Sequence, residues 1–214
     1  MTDSQTDPLS VARQRTEAAD RAPTADATTI VYLVRHGETI WNAEERCQGQ
    51  ADADFSDRGR AQLEALAEEL ASIRFDAAYT SPLVRAVRTA EAILADRGVR
   101  ARRVAALSEI SYGTLQGTRF ADWPGTLLDT WRADPWSVAF PDGESLAALE
   151  ARVLPAFDRI VAAHPGDTVL VSSHGHVNRL ILAAQHRRSR ADFWSIEQIN
   201  GRAIRLECRA PRTT

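Results

Sequence analysis

Lysine is missing from this chain of 214 residues; all 26 basic side chains are arginine. Without a lysine amine there is no Schiff base and no lysine nucleophile. A Walker-A loop is excluded as well, since its phosphate-binding lysine is gone. Cationic work falls to arginine, whose planar fork suits phosphate and carboxylate. Cysteine is almost as scarce. Cys47 and Cys208 make no disulfide framework and no CxxC pair for zinc. No apolar run approaches the ~18 residues of a membrane span. The first twenty residues lack the apolar h-region of a secretory signal, so a cytoplasmic address is expected. With a net charge of -3 there is no general pull toward nucleic acid or an anionic membrane.

What is present reads as an ordinary soluble domain, 44% hydrophobic and 26% charged. Residues 1–28 carry little periodic pattern and are expected to form a disordered or loosely ordered tail. A single domain is expected over 29–209, followed by a short tail, 210–214. Short apolar runs at 30–34, 76–80, 167–174 and 203–207 predict strands, with 99–104 as an edge or crossover strand. Between them lie helical stripes. One has Leu63, Leu66, Leu70 and Ile73, with Ser56 as N-cap. A second has Val84, Val87 and Leu94, with Pro82 early in the helix and Gly98 ending it. A third has Leu146, Leu149, Val153, Phe157 and Ile160, with a kink expected at Pro155. Residues 108–143 look irregular and hold scattered large aromatics. Strand and helix alternate, which predicts an α/β domain with a mostly parallel central sheet.

In such sheets ligands bind beyond the carboxyl ends of the strands. Three predicted strands end in polar residues of one kind: Arg35-His36, then Ser81 leading to Arg85, then Ser172-Ser173-His174-Gly175. If the strands are parallel neighbours, two arginines and two histidines converge and can hold a dianion. Each arginine would give paired hydrogen bonds to phosphate oxygens. Gly37 would let backbone approach closely, and a helix starting near Glu38 would aim free N–H groups at the anion. His174 and His176 could face one side as a metal pair, but no carboxylate stands at a ligand spacing, so no metal is expected. The paired serines suggest no hydrolase, because no GxSxG elbow occurs.

The ordered blocks "LVRHGETIWN", "CQG", "YTSPLVRAVRTA", "LSEISYGTLQG", "DGES" and "VSSHGH" resemble the histidine phosphatase superfamily, which contains the cofactor-dependent phosphoglycerate mutases. The resemblance spans about residues 30 to 208. It implies the phosphoglycerate mutase-like fold, with helices on both faces of the sheet, and a phosphohistidine mechanism without cofactor. His36 would be the nucleophile. Arg35, Arg85 and His174 would surround the phosphoryl group, and Glu109 would be the proton donor. Apolar Leu107, Ile110 and Tyr112 around Glu109 would raise its pKa. Asn42 would add a neutral donor, Gln48 and Gly49 would line the substrate edge, and Gly175 would lie on the substrate side. His176 is left as a substrate contact.

Both reactions of that superfamily remain open: transfer of the phosphoryl group to water, or to a second hydroxyl. The stretch 110–141 is short for a mutase insertion and no long C-terminal tail is visible as a lid, so the phosphatase branch is favoured. The ligand would be a small phosphorylated metabolite. A homodimer is left open, and so is a member that binds a phosphorylated ligand without turnover. Trp123, Trp131 and Trp136 could stack on a leaving group or pack on the domain, and Arg119 could hold a second anionic group. Glu144 is the next carboxylate in line should Glu109 not carry the proton.

Overall fold

The computed structural model describes residues 27–209. The expected tails, 1–28 but for its last two residues and 210–214, lie outside the described residues. Five strands form one sheet in the order β3-β2-β4-β1-β5. They are β1 (Thr29–Arg35), β2 (Ala77–Thr80), β3 (Arg102–Arg103), β4 (Thr168–Ser173) and β5 (Arg202–Cys208). The β1–β4, β2–β4 and β2–β3 pairs are parallel, and β5 runs antiparallel to β1 at the edge. The expected strand at 99–104 contracts to two exposed arginines on the opposite edge. Short, charged edges of that kind resist pairing with another chain.

Successive side chains of a strand point to opposite faces, and here both faces are covered. Val31, Leu33, Val169 and Val171 pack into one apolar cluster. Val34 and Leu170 pack into another, with Tyr32 against it. Among the described residues the α-helices are α1 (Ile40–Ala43), α2 (Asp57–Glu69), α3 (Val84–Leu94), α4 (Gly125–Ala133), α5 (Leu146–Ala162) and α6 (Gly175–Gln185). Leu66 of α2 and Ala90 and Ile93 of α3 cover the second face. Leu149, Val153 and Phe157 of α5 and Val177 and Ile181 of α6 cover the first. This is the expected α/β layering, with helices on both sides of a mostly parallel sheet.

Several local expectations need correction. The stretch 108–143 is not simply irregular. It holds two 3-10 turns and the nine-residue helix α4, whose Leu128 and Trp131 lean on the core. Val84 lies outside the buried stripe, 49% exposed, because it opens α3 at the surface. Pro82 precedes that helix, and Leu94 ends it four residues before Gly98. Ile73 lies beyond α2, which Leu70 caps. Helix α5 runs continuously through Pro155.

One docking contact bears directly on the functional end of the sheet. Ser56 caps α2 by accepting the Gly59 N–H at 3.0 Å, and its own N–H donates to the Glu38 carbonyl at 3.0 Å. A Cβ on Gly59 would lie 1.9 Å from that Glu38 oxygen, and one on Gly37 would lie 2.7 Å from Leu63 Cδ1. The glycine expected to admit an anion therefore admits helix α2 instead. Overpacking a tight contact costs about 1–3 kcal/mol, so Gly59→Ala should lower unfolding stability by that amount despite alanine's better helix propensity. Gly125→Ala, where the added Cβ meets nothing within 4 Å, should be neutral or slightly stabilising. Urea denaturation of the two variants checks this; equal effects would mean that α2 is not closely docked.

Candidate active site

The parallel register sets Arg35 level with Ser173 and Val34 level with Ser172. The His36 N–H extends the ladder to the Ser173 carbonyl at 3.2 Å, and Ser81 N–H does so from the other side to Ser172 at 2.9 Å. His36 and His174 therefore emerge side by side, their ring centroids 5.2 Å apart. Both are buried. In a sheet with helices on both faces, this carboxyl edge is where a ligand can reach the strands.

His36 is held in one tautomer. Its Nδ1 lies 2.7 Å from the Gly37 carbonyl, which only accepts, so Nδ1 carries the proton. Nε2 accepts from Arg85 Nε at 3.2 Å, so it bears the lone pair. Burial, then the nearby Arg85 and Arg35 guanidinium groups, hold its pKa well below the usual histidine value. His174 is depressed in the same way, by burial first and then Arg85. The result is two neutral imidazoles among cations. His174 Nε2 contacts Ser81 Oγ at 2.7 Å, and that hydroxyl also accepts the Leu83 N–H at 3.2 Å. Ser81 orients His174 across 93 positions, a role that sequence patterns did not show.

The arginines are used unequally. Arg85, second residue of α3, donates Nη2 to the Gly49 carbonyl at 2.5 Å and Nη1 to the Ala51 carbonyl at 2.8 Å. Its fork is thus occupied by backbone, contrary to the expectation of a free pair of donors, and Nε is left on His36. Burial pushes its pKa down to about 10, so it remains a cation at neutral pH. Gly49 supplies that carbonyl at φ +55°, in the left-handed region that favours glycine. Gln48 is buried beneath. Its amide nitrogen reaches Thr39 Oγ1 at 2.8 Å while its oxygen accepts from Arg85 Nη1 at 3.3 Å, so it braces Arg85. Arg35 donates Nη1 to the Gln198 carbonyl. Two buried atoms here have no partner among the described residues, Arg35 Nε and His174 Nδ1. Buried polar atoms are seldom left unsatisfied without a functional reason.

Glu109 is buried and closes the other side. Ile110 N–H donates to Oε1 at 2.9 Å, and His176 N–H donates to Oε2 at 3.3 Å. The His176 ring Nδ1 stands 3.5 Å from the same oxygen. Burial alone would raise this carboxyl, yet the adjacent His176 and the Ile110 N–H outweigh it and hold the pKa well below the ordinary range. This corrects the expectation of a raised value. The partner that reverses the sign comes from α6, not from the apolar residues beside Glu109 in the chain.

Together Arg35, His36, Asn42, Gln48, Gly49, Arg85, Glu109 and Gly175 line one cleft of about 140 Å³. Asn42 Oδ1 accepts from Thr39 N–H at 3.1 Å and from Asn200 Nδ2 at 3.3 Å, which leaves its NH2 as the free function. Arg46, Tyr112, Phe120, His176 and Arg179 complete the wall. Arg119 is not in it; its backbone pairs with Arg46 in an isolated bridge. The tryptophans pack instead of lining the cleft, with Trp131 4.9 Å from Phe140 and Trp136 5.7 Å from Phe193 between ring centroids. Glu144 is committed elsewhere, to Arg152 at 2.8 Å and the Ser111 N–H at 2.9 Å. The short α1 does not aim free N–H groups at the site, because Thr39 and Asn42 cap it reciprocally. The N-terminus of α6 follows His174 with no side-chain cap, and its His176 N–H is donated to Glu109. Among the described residues no group of three His, Cys, Asp or Glu side chains could hold a metal ion.

Residues 31–214 match the family model described as histidine phosphatase superfamily, branch 1. A 2,3-bisphosphoglycerate-dependent phosphoglycerate mutase of Mesorhizobium japonicum is 33% identical over 194 residues, 86% of this chain and 94% of that protein. A phosphoserine phosphatase 1 of Hydrogenobacter thermophilus is 33% identical over 176 residues, 77% of this chain and 80% of the relative. The crystal structure of an alpha-ribazole phosphatase from Shigella flexneri superposes with a TM-score of 0.75 at 27% identity, covering 81% of this chain and 88% of the other.

The ionisation pattern has a measurable consequence. Unfolded histidine titrates near pH 6.5, whereas folded His36 and His174 resist protonation. Below about pH 6.5 the unfolded chain binds protons that the folded chain refuses. Stability should therefore be full above that pH and fall as pH drops, by up to about 1.4 kcal/mol per pH unit for each histidine. Glu109, held low when folded, extends the loss below about pH 4.3. Urea unfolding at pH 7.5, 6.5 and 5.5 measures the slope, and His174→Asn should reduce it. A stability flat across this range would show that both histidines titrate normally in the fold.

Proposed function

The chain belongs to the histidine phosphatase superfamily, branch 1, and within it we propose a metal-independent phosphomonoesterase, working in the cytoplasm on a small phosphorylated metabolite. The observation that carries this reading is the neutral His36 Nε2 lone pair, facing a guanidinium, with the partnerless Arg35 Nε and His174 Nδ1 as further groups for phosphoryl oxygens. A phosphoryl group placed there meets a nucleophile that needs no base. Its oxygens gain fixed donors where charge develops in the transition state.

Nε2 attacks phosphorus, replacing the hydrogen bond from Arg85, and the bond from phosphorus to the leaving oxygen breaks. Glu109 gives that oxygen its proton. Water then attacks the phosphohistidine, Glu109 takes the proton, and the bond between phosphorus and Nε2 breaks to release phosphate and restore His36. At rest Glu109 is a carboxylate. A phosphate dianion bound beside it raises its proton affinity, because a nearby like charge disfavours ionisation. Substrate binding therefore brings proton uptake. The cleft of about 140 Å³ lies below the ~300–1,000 Å³ of pockets for drug-sized ligands, which supports a small leaving group.

Hydrolysis is favoured because the segment 110–141 gives Tyr112 and Phe120 to the cleft wall while its Trp123, Trp131 and Phe140 pack on the core, which leaves the cleft open to water. Phe120 on the cleft wall remains 41% exposed. A mutase must keep water from its phosphohistidine. The second reading, transfer to another hydroxyl of phosphoglycerate, rests on the 33% identity to a phosphoglycerate mutase. Release of phosphate from p-nitrophenyl phosphate and from alkyl phosphates in excess EDTA supports the first reading. Interconversion of phosphoglycerates with 2,3-bisphosphoglycerate, without hydrolysis, would replace it with the second.

Two substitutions test the roles. His36→Ala should abolish turnover. Glu109→Gln keeps the shape and the nucleophile but moves no proton. Alkyl phosphates should lose most of the ~10²–10⁴-fold help of a general acid. With p-nitrophenyl phosphate the leaving group departs unaided, so rapid mixing should show a burst of p-nitrophenol near the active-site concentration, then a slow steady rate. Equal losses on both substrates and no burst would remove Glu109 from the proton transfer.

A further inference from the structure

Resting on the phosphatase reading above, we propose that His176 is the proton relay of Glu109, a positioning residue that carries protons between solvent and the buried carboxyl. The two oxygens of Glu109 are differently placed. Oε1 is tied to the Ile110 N–H at 2.9 Å. Oε2 has the His176 N–H at 3.3 Å and its ring Nδ1 at 3.5 Å, just outside a full hydrogen bond and close enough to become one with a small ring shift. Glu109 and His176 stand side by side in the cleft wall, their side chains 11% and 13% exposed. Once substrate fills the cleft before it, this carboxyl, at rest the carboxylate, has His176 as the neighbour placed to bring its proton in and to take it away when phosphate leaves.

Aromatic side chains flank the ring. Phe193 stacks on it with centroids 6.0 Å apart, Trp194 meets it edge-on at 5.7 Å, and Tyr112 does so at 6.0 Å. These apolar walls leave Glu109 as the carboxylate within reach of its Nδ1. The other charged or titratable groups around Glu109 are Arg35 from β1, His36, Arg85 from α3, Arg179 from α6, His174, Glu144, and the buried Tyr112 and Cys47; His36 Nδ1 is held by the Gly37 carbonyl and Glu144 by Arg152. Burial, then Glu109, pushes the Tyr112 hydroxyl well above its usual pKa, and Cys47 is likewise pushed up. Neither gives up a proton near neutral pH. The arginines hold theirs, and the His174 ring is committed to Ser81 and kept neutral. His176 is the group in this set that places a ring nitrogen against a Glu109 side-chain oxygen.

The step balances without a co-reactant. A water-borne proton binds His176 Nε2 as the Nδ1–H bond breaks and an O–H bond forms on Glu109 Oε2, leaving the Nε2–H tautomer. On product release Glu109 returns its proton to Nδ1, and the Nε2 proton leaves to water. Each turnover therefore restores the starting tautomer.

The test compares kcat/KM of His176→Ala and wild type on an alkyl phosphate and on p-nitrophenyl phosphate, across pH 5.5 to 8, with and without added imidazole. The alkyl substrate should lose tenfold or more, most steeply toward high pH where solution protons are scarce, and imidazole should restore a large part. p-Nitrophenyl phosphate, which needs no proton to leave, should lose less than threefold. His176→Gln, similar in size and unable to relay, should match alanine, which separates the relay from a packing role. Equal loss on both substrates, no imidazole rescue, or full activity of the glutamine variant would each overturn the relay. Failure of the phosphatase reading is distinct, because then wild type itself releases no phosphate from either substrate.

Discussion

The cleft depends on one register. Because β1 and β4 run parallel with Arg35 opposite Ser173, the residues that follow each strand leave the sheet at the same height. His36 and His174 then face each other without any loop having to find its place. A slip of one residue would turn each side chain to the opposite face and put a buried imidazole on the wrong side of the sheet. The apolar alternation that fixes the register, Val31 and Leu33 against Tyr32 and Val34, is therefore part of the site although none of these residues approaches it.

On that frame the electrostatics follow from crowding. Burial first, and then the adjacent Arg85 and Arg35, hold the two enclosed histidines toward the neutral form, which keeps the lone pair of the proposed nucleophile His36 available. The same guanidinium groups favour the carboxylate of Glu109 and would favour a bound dianion more strongly. The proposed nucleophile, anion socket and proton donor thus belong to one coupled set of charges, in which adding an anion would change the protonation of a neighbour.

Much of this was legible along the chain. The apolar runs placed β1, β2, β4 and β5, and the polar residues at their ends marked where Arg35, His36, Arg85 and His174 would gather. Pairings across long separations were not legible. The Ser81 hydroxyl meets His174 93 positions away and the His176 N–H meets Glu109 67 positions away, and neither contact leaves a local pattern. Glu109 shows the cost. Its sequence neighbours argue for a raised pKa, while its spatial neighbour from α6 sets the opposite direction. Helix α4 was hidden for a different reason. Its short stripe, Leu127, Leu128 and Trp131, lies between Pro124 and Asp134 with no side-chain cap to announce it.

The segment ahead of β5 holds the site by its main chain. Ile196 and Gln198 offer carbonyls to Arg179 and Arg35, and the Gly201 N–H reaches the carbonyls of Arg35 and His36, each at 3.1 Å. Backbone groups are common to nearly every amino acid, so the letters at 196 and 198 can drift over evolutionary time with little effect on these contacts. The spacing cannot. Adding or removing a single residue between 196 and 201 would uncouple both guanidinium groups from the sheet edge together, so this stretch is constrained in its length more than in its composition.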